Sequence, residues 1–178
     1  MNTSRRAEGR HLARAAFRSL RLIPTPVRHR LVGLTSPAFR VGVVGVVLSD
    51  DRRILLARHN YRRGWGIPGG MLGWRELPRQ AVHRELREEV GLEVREVGTP
   101  EILVSRSPRR IEWYFDMALA EGCAVEDAHP ISAEIAETRW FPLDDIPILE
   151  KGTGTTVAAL RVLLERRFPD IDLDDLGR

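Results

Sequence analysis

An α/β fold, with a mixed β-sheet between helical layers, is what this sequence predicts. Three observations carry the prediction. Two valine- and leucine-rich runs of strand length, 39–48 and 53–58, follow one another early in the chain. Two stretches with apolar residues at helical spacing come later, one central (78–90) and one near the end (155–168). Further strand-like runs at 101–106, 111–120 and 138–143 lie between those helices. Strands interleaved with amphipathic helices bury their apolar faces best as layers.

The chain has 178 residues, enough for one domain with a proper core. Its net charge of +3 hides an asymmetry, because residues 1–40 hold nine arginines and one acid, Glu8, while the rest is net acidic. The basic balance therefore gives no reason to expect nucleic acid as the substrate of the main part. One cysteine, Cys123, excludes an internal disulfide framework and a multi-cysteine zinc site, and a reducing cytoplasm suits it. The longest apolar run, 41–48, is too short to span a bilayer, which needs about 20 residues. No signal-peptide pattern opens the chain.

Taken in order, residues 10–23 (R-H-L-A-R-A-A-F-R-S-L-R-L-I) read as an amphipathic helix within a basic extension covering 1–38. Arg10, Arg14 and Arg18 share one stripe, Leu12, Ala16, Leu20 and Ile23 another, and Pro24 and Pro26 end it. Its apolar face suits docking on the catalytic part or on a second subunit of a homodimer. Its basic face suits peripheral contact with an anionic membrane, and a targeting segment is a further reading. The runs 39–48 and 53–58, joined at Ser49-Asp50-Asp51, read as a β-hairpin. Ser107-Pro108-Arg109-Arg110 reads as the turn of a second hairpin. Residues 121–136 form a polar loop. The end, I-D-L-D-D-L-G-R from 171 onward, reads as part of a mobile acidic tail starting at 169.

The central helix carries the chemistry. Pro78 suits its first turn, Leu77 is a poor cap, and Gly91 is placed to end it in a left-handed conformation. With Glu85 at 0°, Glu89 lies at about +40° and Glu88 at about −60°, so three carboxylates share one face. Val82, Leu86 and Val90 form the neighbouring apolar stripe. Like charges on adjacent turns repel. A hard divalent cation such as Mg²⁺, which takes oxygen ligands, removes that conflict.

Gly70, Glu76, Arg84, Glu85, Leu86, Glu88, Glu89, Gly91 and Leu92 stand at the spacing G-x5-E-x7-R-E-U-x-E-E-x-G-U, where U is aliphatic. This resembles the Nudix box, the loop–helix motif of Mg²⁺-dependent pyrophosphohydrolases. The resemblance covers 39–168 and implies the family's α/β/α sandwich. It implies metal ligands at the Gly70 carbonyl, Glu85, Glu88 and Glu89, with Mn²⁺ a substitute for Mg²⁺. Glu85 and Glu88 are then also catalytic. Glu76 and Arg84 are expected to form a supporting ion pair. The late segment S-A-E-I-A-E-T-R-W-F-P-L resembles the family's E-I-x-E-x-x-W-x-x-L stretch. That makes Glu134 the first candidate for the general base, with Glu137 second and His129 more remote.

For a nucleotide substrate, Trp65, Trp113, Tyr114 and Trp140 are candidates to stack on a base, although those in strands also suit the core. Arg58, Arg106, Arg109 and Arg110 are candidates to hold phosphate. ADP-ribose hydrolases of the family carry a proline at the distance where Pro108 stands, but a proline also suits a plain hairpin turn. Three readings of function follow. The first is cleavage of a nucleoside diphosphate linked to another group, such as ADP-ribose or a nucleotide sugar. The second is release of pyrophosphate from a nucleoside triphosphate. The third is a non-catalytic ligand-binding module.

Overall fold

The structure, a computed structural model, describes residues 36–61, 63–149, 154–173 and 176, with Pro24, Thr25 and Val27. The chain divides into two compact units, Met1–Ala38 and Phe39–Arg178. The amphipathic stretch 10–23 lies outside the described residues. The second unit runs β1 (Arg40–Val47), β2 (Arg53–His59), β3 (Gly69–Met71), α1 (Pro78–Val90), β4 (Val94–Glu96), β5 (Glu101–Arg106), β6 (Arg109–Leu119), β7 (Ile135–Pro142) and α2 (Gly154–Arg167).

A mixed sheet lies at its centre. β1 runs parallel to β6 on one side and antiparallel to β3 on the other. β4 and β5 each pair antiparallel with β6. β2 pairs antiparallel with β7 in a separate two-stranded sheet. This corrects the first expected hairpin. The chain does turn at Ser49, whose hydroxyl donates to Asp51 and accepts the Arg53 N–H. The two strands then part, sharing the isolated bridge Leu48–Ile54. Both are buried on both faces, so their sequence pattern says nothing about which neighbour each edge takes. The second hairpin forms as expected, with Arg106 paired to Arg109 across Ser107-Pro108.

Side chains alternate across a strand, so the central sheet builds two cores. Val43, Val47, Phe115 and Met117 pack against Val82, Leu86 and Val90 of α1. Val46, Leu48 and Tyr114 pack on the opposite face against Leu160, Leu163 and Leu164 of α2. β2 feeds both, with Leu55 and Ala57 in the first and Ile54 and Leu56 in the second. Each fully buried leucine contributes about 1.5–3 kcal/mol. The result is the expected sandwich of sheet between helices.

The end of α2 is fixed by charge. Arg167 donates to Asp116 at 2.7 Å and to the carbonyls of Met117 and Leu48. The chain beyond is not wholly a free tail, which corrects that expectation. Leu173 is buried in the second core, Ile171 and Leu176 pack beside it, and Arg161 donates to the Leu173 carbonyl at 2.6 Å. The acids between these residues mask their apolar spacing. No helix among the described residues is long and apolar enough to cross a membrane.

Candidate active site

Helix α1 presents its carboxylates to a loop that β3 holds in place. Leu77, before the helix, is extended and gives no side-chain cap; instead the Gln80 side chain accepts the Leu77 N–H at 3.0 Å. Gly91 closes the helix at φ 73°, the left-handed conformation glycine adopts without penalty. Ala81, Val82, Leu86 and Val90 are buried, which turns the adjoining Glu85–Glu89 face toward the loop.

Glu85 lies directly against Gly70. A side chain at Gly70 would run into the Glu85 carboxylate, so the absent Cβ is the cradle in which that carboxylate sits. Glu89 is buried, and its Oε2 accepts the Gly69 N–H at 2.9 Å. Arg84 ties the assembly together. It grips Glu76 through two bonds of 2.9 and 3.0 Å and donates to Glu85 at 2.9 Å and Glu88 at 3.2 Å. Glu76 also accepts the Gly73 N–H, fixing the loop to the helix.

The electrostatics follow from this packing. Burial raises the Glu85 carboxyl above its ordinary value, against the pull of Arg84. Arg84 and the Gly73 N–H lower Glu76, and Glu76 raises Arg84 in return. Glu85 is thus a partly desolvated carboxylate with Arg84 as its cationic neighbour.

A cleft of about 430 Å³ opens here, lined in part by Gly70, Glu85, Glu89 and Glu134. Its further lining includes His59, Tyr61, Arg110, Glu112, Tyr114 and Thr156. Two carboxylates and a backbone carbonyl in a glycine-made cradle form an all-oxygen donor set, which suits a hard divalent cation with waters completing its shell. Among the described residues, no three acidic, histidine or cysteine side chains converge closely enough to hold a metal by themselves. A cation at this place would therefore need further ligands from backbone oxygen, water and substrate phosphate.

The NUDIX domain model matches residues 38–161, most of the chain. The chain belongs to the Nudix family of hydrolases. Among curated relatives it is 31% identical to a CMP-5'-(N-acetyl-N-hydroxy-3-aminopropyl)phosphonate hydrolase of Streptomyces rubellomurinus, over 68% of this chain and 64% of that protein. It is 41% identical to an RNA pyrophosphohydrolase of Halorhodospira halophila, over 62% of this chain and 73% of that one. It thus spans less than two thirds of the first of these. Among solved structures, an ADP-ribose pyrophosphatase from Streptococcus suis has a TM-score of 0.60 at 26% identity, covering 75% of this chain and 96% of that one.

The Nudix helix and loop bring Gly70, Glu85 and Glu89 together on the cleft, and the turn leading into β7 brings Glu134 to it. Other expected residues stand elsewhere. Glu88 is 60% exposed and bonded to Arg84. Arg58 donates to Glu137 at 2.8 Å, and Arg139 does so at 2.7 Å. Those two arginines lower Glu137, Arg58 most, which makes it a poor proton acceptor. His129 bonds to the Asp127 carbonyl. Trp65 packs edge-on against Phe141 beneath Arg139, and Trp140 donates to the Val125 carbonyl. Arg106 and Pro108 are exposed at the second hairpin's turn. Arg110, not Arg58 or Arg106, lines the cleft. Sequence reasoning missed Glu112. Its signal was alternation along β6, which sets it on the same sheet face as Arg110 and Tyr114.

Proposed function

We propose that this chain cleaves the pyrophosphate bond of a nucleoside diphosphate linked to a second group, with Mg²⁺ as its cation. The observation carrying this reading is the convergence of Gly70, Glu85, Glu89 and the distant Glu134 on one cleft. The Gly70 carbonyl and the Glu85 and Glu89 carboxylates would hold the cation, while Glu88 stands outside this set, bonded to Arg84. When bound, such a cation neutralises phosphate oxygens and promotes ionisation of water. Glu134 accepts the proton of the attacking water. The water oxygen bonds to one phosphorus as the bridging oxygen departs with the other phosphate. Glu76 and Arg84 position the helix and touch none of the reacting atoms.

Two similarities favour a linked diphosphate. The Streptomyces relative is named for a nucleotide joined to another group, and the Streptococcus structure for ADP-ribose. A second reading, release of pyrophosphate from a 5′-triphosphate, is favoured by the identity with RNA pyrophosphohydrolases. One panel separates them: ADP-ribose, UDP-sugars, nucleoside triphosphates and 5′-triphosphorylated RNA, with Mg²⁺ or Mn²⁺ and products identified by chromatography. A nucleoside monophosphate from the linked substrates supports the first reading. Pyrophosphate from triphosphates alone replaces it with the second. No turnover of any member, with ligand-dependent thermal stabilisation retained, overturns both in favour of a binding module.

A further inference from the structure

One wall of the cleft carries a carboxylate that the hydrolytic machinery does not use. Glu112 lies on β6 opposite Gly42 of β1, on the sheet face shared with Tyr114. Its side chain is 17% exposed. Arg110 donates to its Oε1 at 2.9 Å, and the Tyr114 hydroxyl lies 3.4 Å from its Oε2. That hydroxyl also meets the Thr156 hydroxyl of α2 at 3.0 Å. The carboxylate is therefore held from both sides.

A carboxylate offers about four lone-pair sites, so the two contacts leave acceptor capacity free. A carboxylate that already accepts from Arg110 is an acceptor toward the cleft and a poor neighbour for phosphate. Among the groups of a nucleotide, hydrogen-bond donors are what it can take, and its two oxygens side by side match two adjacent hydroxyls. The position narrows the choice. A Cβ at Gly42 would lie 3.4 Å from the Gly70 carbonyl oxygen and 4.0 Å from Glu112 Oε1. Glycine at 42 thus keeps side-chain bulk out from between the Gly70 carbonyl and Glu112. In a nucleotide the group next to the phosphates is the ribose, and the base lies one step further.

We propose that Glu112 accepts hydrogen bonds from the vicinal 2′- and 3′-hydroxyls of the nucleoside ribose and makes the cleft selective for ribonucleotides. The selectivity rests on the hydrolase reading only in that the cleft takes a nucleotide with its phosphates at the Gly70 end. Arg110, Tyr114 and Thr156 are positioning residues that keep the carboxylate turned to the sugar.

The test is calorimetry on the full chain with AMP, CMP, GMP and UMP, each against its 2′-deoxy counterpart, for wild type, Glu112→Gln and Glu112→Ala. Wild type binds at least one ribonucleotide about tenfold tighter than its deoxy form, about 1.4 kcal/mol. Glu112→Ala removes that preference by weakening the ribonucleotide alone. Glu112→Gln, which keeps the side-chain volume, narrows the preference and serves if the alanine variant fails to fold. Equal binding of ribo and deoxy forms by wild type, an undiminished preference in the variants, or no nucleotide binding overturns the proposal. A retained ribo preference without turnover of any diphosphate or triphosphate defeats the hydrolase reading instead. Hydrolysis that ignores the 2′-hydroxyl defeats this proposal and leaves that reading standing.

Discussion

Gly70 and Glu85 meet so closely that one added methyl group would displace the carboxylate. The obstacle is the far end of a flexible side chain, so Gly70→Ala keeps the fold and moves Glu85. Turnover is expected to fall about 100-fold, the cost of misplacing a reacting group by about 1 Å, with little change in melting temperature. The two late glutamates make a second residue-scale contrast. Glu134 opens on the cleft, whereas Glu137 is held by Arg58 and Arg139. Glu134→Gln is expected to lower kcat by about 10²–10⁴-fold, the usual share of a general base. Glu137→Gln should stay near wild type in the same assay, and a larger loss in Glu137→Gln would reverse the two assignments.

At the scale of elements, loop and helix are joined by Arg84 gripping Glu76 through two parallel bonds. Arg84 holds Glu76 below its ordinary value. A carboxyl lowered on folding adds stability above its unfolded value, and that stability is lost as pH falls through the folded value. Wild type should therefore lose urea resistance below about pH 4.5 more steeply than Glu76→Gln, which has no proton to take up there. Parallel curves for the two proteins would show that the pair orients the loop without coupling to folding. Arg84→Lys should weaken the junction as well, because an ammonium cannot reproduce the two-pronged grip.

Across the whole molecule, α2 is anchored to the central sheet by Arg167 reaching Asp116 and two backbone carbonyls. Asp116 is 4% exposed, and burial raises its carboxyl despite Arg167. Removing one member of a buried pair strands the other charge, so Arg167→Met is expected to cost about 3–5 kcal/mol near neutral pH. A raised carboxyl favours its protonated form in the fold. The loss should therefore shrink as pH falls toward the unfolded value near 4, which chemical denaturation across pH measures. Residues 1–38 form the other compact unit. Deleting 1–36 is expected to leave turnover near wild type and to alter self-association or vesicle binding, read by light scattering and co-sedimentation. A folded but inactive truncation would place part of the site in that segment.

By itself the sequence determined the local features. Pro78, the Val82–Leu86–Val90 stripe and Gly91 set the bounds of α1, because helix ends and buried faces depend on neighbours within a turn or two. The same spacing put Glu85, Glu88 and Glu89 on one face and identified the family. The tertiary structure decided what depends on residues far apart in the chain. It sent β1 to β6 and β2 to β7, a choice hidden because both strands are buried on both faces. It turned Glu89 inward and Glu88 outward, tied Arg58 to Glu137, and set Glu112 across Gly42 from the Gly70 carbonyl. Helical periodicity places side chains on a face, but only packing between elements determines what each face meets. Gly70, Glu85 and Glu89, the residues proposed to hold the cation, were legible because one local motif holds them. The wall around Glu112 was not, because β1, β6 and α2 assemble it from separate parts of the chain.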